Sequence, residues 1–84
     1  MNAIILPFPR SRDRAFILRH AGHVAGASTA AKAEAHLQRQ LQIQRGTLER
    51  RGVAAAIIDA ELKAIEGNIR AACWRLMLAP GGAA

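Results

Sequence analysis

Two apolar stripes with the same spacing organise this chain. The first is Ala30, Glu34, Leu37, Leu41, Gln44 and Leu48, and the second is Ile58, Leu62, Ile65, Ile69, Ala72 and Leu76. Both advance by alternating steps of four and three residues, the a/d seam of a heptad helix. Gly52 lies between them, where a glycine can close one helix in the left-handed conformation and let the chain reverse. Two helices of similar length, a glycine break and matching seams predict an all-α fold built on a long antiparallel hairpin. In that pairing Leu48 lies near Ile58, Leu41 near Ile65 and Leu37 near Ile69. Gln44 faces Leu62, and Glu34 falls near Ala72 within reach of Arg75. Polar residues in a seam cost stability but fix register or oligomer state.

The remaining punctuation completes a single small domain of three helices. Residues 1–10 form an arm, because Pro7 and Pro9 exclude helix and bias Leu6 and Phe8 to extended backbone. The stretch Ala3-Ile4-Ile5-Leu6 either tucks over the helices or adds as a short strand to a partner. A first helix is expected over 11–26, with Ser11 as N-cap, Asp13 in its first turn, and Phe16, Ile17, His20, Ala21 and Val24 on one face. The second helix is expected over 28–51 with Ser28 as N-cap, and the third over 53–79, with residues 80–84 a frayed tail after Pro80. Asp59 with Lys63 and Glu66 with Arg70 are i, i+4 pairs in the favourable order.

Composition thins this picture. Hydrophobic residues make up 51% of the 84, but 19 of them are alanine, which favours helix and adds little apolar area. A core of one thin Leu/Ile seam predicts a homodimer or an obligate complex. Two off-seam lines point to where a partner sits. On helix two, His36, Gln40, Ile43 and Thr47 meet either helix one or a second protomer, or form a polar flank with one stray isoleucine. On helix three, Ala60, Gly67 and Trp74 recur every seven residues, making a groove with a knob. Trp74 packs on Phe16 and Ile17, or it anchors an interface with Ile43, Gly67 and Arg70.

The net charge is +6, and all of it lies in the first 51 residues, which hold nine Arg/Lys against three acids. Arg10, Arg12, Arg14 and Arg19 follow the arm, and Arg39, Arg45, Arg50 and Arg51 extend the charge along helix two. Such a half suits an anionic partner (nucleic acid, a nucleoprotein or an acidic protein face), or it is simply a solvated surface. Phe8, Phe16 and Trp74 are the whole aromatic complement, too few for a stacking platform for single strands. Helix two is also far longer than the recognition helix of a helix-turn-helix.

Catalytic chemistry has no signature here. No serine or cysteine has a recognisable base, no glycine loop follows a strand, and an enzyme is not expected. His20 and His23 are three apart and His36 is remote in sequence, with no thiol or carboxylate beside them, so they read as satisfied or solvated rather than as metal ligands. No cofactor is implied. Cys73 is the single cysteine; it excludes an intrachain disulfide and reads as a small buried residue in a reducing cytosol. No apolar run is long enough for a membrane span or a signal peptide, which makes a cytoplasmic setting the expectation.

Ile4-Ile5-Leu6-Pro7-Phe8-Pro9-Arg10, the run from Gln40 to Gly52 and the ending Ala72-Cys73-Trp74-Arg75-Leu76 resemble short uncharacterised proteins of alphaproteobacteria, rhizobial ones especially. The resemblance covers nearly the whole chain. It implies a bacterial cytosol, fits a mobile-element origin, and supplies no catalytic or binding residue. The function expected is therefore binding: a dimeric regulatory module whose basic half docks on nucleic acid or a nucleoprotein. The alternatives are a phage-type inhibitor of a bacterial defence complex, such as an anti-CRISPR protein, and a structural assembly subunit.

Overall fold

The computed structural model describes Leu6 and residues 8–78. The chain forms a 3-10 turn at Arg10–Arg12 and then three helices: α1 (Arg14–Ala25), α2 (Ala30–Arg50) and α3 (Ala55–Leu78). The all-α class and the three helices agree with the sequence reading. The reading of Ala3 to Ile5 as strand or tucked arm lies outside the described residues, as does that of the tail after Leu78. Leu6, at the arm's end, packs against the edge of the core.

The reversal between α2 and α3 forms where glycine permits it. Gly52 has φ +77°, and no other described residue has a positive φ. Its N–H donates to the carbonyl of Glu49, and that of Val53 donates to the carbonyl of Leu48 at 3.1 Å. This paired capping satisfies the orphan carbonyls of α2 and needs the left-handed residue at its centre. Leu48 and Val53, on either side of the turn, are both buried in the core.

Two caps differ from expectation. Asp13, not Ser11, caps α1: its Oδ1 accepts from the Phe16 N–H at 3.0 Å. Ser11 is unavailable because its N–H and hydroxyl both donate to Glu61 of α3. Thr29, not Ser28, caps α2 by accepting from the Lys32 N–H at 3.0 Å. The two hydroxyl residues compete for one cap, and β-branched Thr29 settles readily into the extended backbone (φ −141°, ψ 158°) that the position requires.

α3 is the spine of the core. Ile65 and Ile69 are fully buried, and Ile58, Leu62, Ala72 and Cys73 join them. α2 contributes Leu37, Leu41 and Leu48; α1 contributes Phe16, Ile17 and Ala21. α1 meets α3 more extensively than α2 does, so the hairpin is completed by the short helix. The fold measures 51 × 22 × 15 Å.

The seams fail at one end. Ala30 and Glu34 at the start of α2 are exposed, and Leu76 at the end of α3 is 48% exposed. Glu34 does not reach Arg75; it accepts from Arg70 at 2.9 Å, which also grips Glu66 at 2.8 Å in the expected i, i+4 pair. Asp59 pairs with Arg45 of α2 at 3.0 Å rather than with Lys63. At Asp59 the fork of an arginine on the facing helix outcompetes the lysine read from one helix alone.

Candidate functional site

Among the described residues the buried acidic side chain is Glu61 on α3, and it positions the basic segment before α1. Ser11 donates to it twice, through its N–H at 2.9 Å and its hydroxyl at 2.8 Å. Asn68, two turns further along α3, donates to the Ser11 carbonyl at 2.8 Å. A buried carboxylate is tolerated when hydrogen bonds replace its water, and no buried polar side-chain atom among the described residues lacks a partner. Sequence reasoning missed this tie, because a glutamate beside the seam gives no sign that a serine fifty residues earlier covers it.

Fixed at Ser11, the chain places Arg10 and Arg12 beside the second half of α2. An open cleft of about 770 Å³ lies there, lined by Arg10, Arg12 and Arg51 together with Gln44 and Thr47. Arg10 is partly consumed: it pairs with Asp13 and its guanidinium stands 5.1 Å from the Phe16 ring centre. The cap hydrogen bond from Phe16, and after it Arg10, hold the Asp13 carboxyl below the usual carboxylate range. The contribution of Asp13 to stability is thus present at neutral pH and fades in acid below pH ~4.

Of the eight arginines proposed for an anionic partner, Arg10 and Arg45 are taken up by Asp13 and Asp59. Arg12, Arg14, Arg19, Arg39, Arg50 and Arg51 are exposed and pair with no carboxylate among the described residues. They are carried by α1, the turn before it, and α2 with its C-cap. Of the four interface candidates, Arg70 is occupied by Glu34 and Glu66, whose bonds raise its pKa. Ile43 (48%) and Trp74 (62%) are exposed, and Gly67 faces open space. Trp74 leaves most of its surface in solvent, and the ring that meets Phe16 is that of His20. Met77 and Leu78 are bare beside it, each 61% exposed.

Histidines that looked unrelated come together across α1 and α2. His20 Nδ1 and His36 Nε2 lie 2.9 Å apart, a hydrogen bond in which one ring donates. The ring centres of His20 and His36 are 5.2 Å apart, those of His23 and His36 5.0 Å, and those of His20 and His23 6.0 Å. His20 is buried and meets Phe16 edge to face at 4.6 Å. The His36–Thr47 line thus meets α1 at His36, while Ile43 on the same line stays uncovered. Burial first, then the neighbouring His36 and Arg19, lowers the pKa of His20; burial, then His23 and Arg39, lowers that of His36. No group of three or more His, Cys, Asp or Glu side chains among the described residues converges as a metal-ligand set, and no described helix is long and apolar enough to cross a membrane.

Residues 1–84 match a family of unknown function, DUF6074. The chain belongs to that family. No curated protein and no solved structure matches it. The family is one of unknown function and carries no activity to transfer.

Proposed function

We propose that this chain is a non-catalytic binding module that docks the arginines of α1 and α2 on nucleic acid or a nucleoprotein, as a homodimer in a bacterial cytosol. The observation that carries the reading is the unbalanced charge: Arg12, Arg14, Arg19, Arg39, Arg50 and Arg51 are exposed without acidic partners. Arginine forks in such a surface position on phosphates without reading sequence. The test is affinity for duplex DNA measured across salt concentrations. The expected result is a linear fall of log K with log salt, and the double variant Arg12→Glu with Arg19→Glu flattens the slope by roughly two contacts' worth, about 0.9 each. Unchanged binding by that variant sinks the reading.

A second reading rests on the apolar end of α3. Trp74, Met77 and Leu78 expose large side chains in succession, as an interface anchor does. On this reading the partner is a protein, and the chain is an inhibitor of a bacterial defence complex (anti-CRISPR-like) or an assembly subunit. Binding that is insensitive to salt and abolished by Trp74→Ala favours it. Sedimentation tests the dimer: a stable, folded monomer at micromolar concentration excludes it.

A further inference from the structure

We propose that the His20–His36 pair is an acid-sensitive latch closing α1 onto α2, with His23 as the third ring that sensitises it. The hydrogen bond between the two rings is 2.9 Å long and bridges residues sixteen apart in sequence. It is a side-chain bond that ties α1 to α2, since the other long-range ties of this region run from Ser11 to α3 and from α2 to α3.

The chemistry of the bond sets its limit. One ring must offer an N–H and the other a lone pair. With no proton added, or with one, that arrangement survives. With two, both facing nitrogens carry hydrogen, and two cations stand within 3 Å of each other. The pair titrates as a unit, and its second proton breaks it.

The cationic neighbours press in the same direction. α1 presents Arg19 and His23, the turn before α1 presents Arg10, and α2 presents Arg39. No carboxylate among the described residues pairs with either ring. On α3, Asp59, Glu61 and Glu66 are committed to Arg45, Ser11 and Arg70; on α2, Glu34 is committed to Arg70 and Gln38. Asp13 holds the Phe16 N–H and Arg10, and no histidine makes an ion pair among the described residues. Burial of His20 adds to the cost of charging it. A histidine whose folded pKa is depressed stabilises the fold fully above the unfolded value of about 6.5, and that contribution is lost as pH falls below it. The cationic flanks, the shortage of acids and the absence of a converging ligand set also make these rings poor metal ligands.

α1 remains seated on α3 through Phe16, Ile17 and Ala21, so opening the latch frees the α1–α2 contact before it unfolds the hairpin. The experiment is a thermal melt of the full chain at pH 7.5 and pH 5.0, beside a histidine-ring NMR titration of the wild type. The expected result is a fall in Tm of roughly 5 °C or more on acidification, with ring titrations of His20 and His36 displaced below 6.5 and coupled. The double variant His20→Gln with His36→Gln keeps its helicity and loses most of the pH dependence. A wild-type Tm that is the same at both pH values overturns the proposal, as do two independent ring titrations near 6.5. If the double variant does not fold, the wild-type titration alone decides. A rise in Tm on adding zinc, removed by His23→Gln, also overturns it by making the rings ligands.

Discussion

The two ends of α3 carry the same repeat and meet opposite fates. From Ile58 to Cys73 the seam is roofed by α1, α2 and the turn before α1, and its isoleucines are shut off from water. From Trp74 to Leu78 the helix runs on with large apolar side chains and no described element over them. Periodicity tells which face of a helix is apolar; it does not tell whether anything arrives to cover it. The start of α2, which should cover the far end, offers Ala30 and Glu34, one too small and the other charged.

Substitutions at the two ends should separate covered from bare. The largest effect is expected at Ile65, where Ile65→Ala opens a cavity in the most enclosed part of the core and costs about 2–5 kcal/mol by chemical denaturation. Next is the tie that holds the roof in place. Glu61→Ala leaves the N–H and hydroxyl of Ser11 without their acceptor in a part-buried site, at about 1–3 kcal/mol, and should release the segment before α1 to faster hydrogen exchange. Gly52→Ala forces a side chain into the left-handed region and should cost about 1 kcal/mol. The smallest effect belongs to the bare end: Trp74→Ala should change monomer stability by less than about 0.5 kcal/mol. A large loss there would mean that Trp74 is covered in solution.

Much of the fold was legible because it is local. The step of the seams, the left-handed demand at Gly52 and the apolar face of α1 are all written within single helices. What escaped depends on how helices meet. The His20–His36 bond needs α1 to cross α2 at one height, which no spacing within either helix encodes. The burial of Glu61 needs Ser11, and the loss of Ser11 as a cap follows from the same contact. Arg70 took Glu34 although Arg75 was also in reach of the pairing, because the choice depends on rotation about the α2–α3 axis. The basic residues were legible by type, but which of them are neutralised was settled only by the positions of Asp13 and Asp59.

Cys73 marks the boundary between the two halves of α3. It is the last buried residue before Trp74, and its thiol donates to Met77 Sδ at 3.7 Å. As the single sulfhydryl of the chain, it is a natural clock for breathing motions. A thiol reagent can modify it only in molecules whose cover has lifted, so labelling under native conditions reads the frequency of local opening. Run in parallel with global unfolding, that rate reports whether the roof over α3 lifts by itself or only when the whole molecule melts.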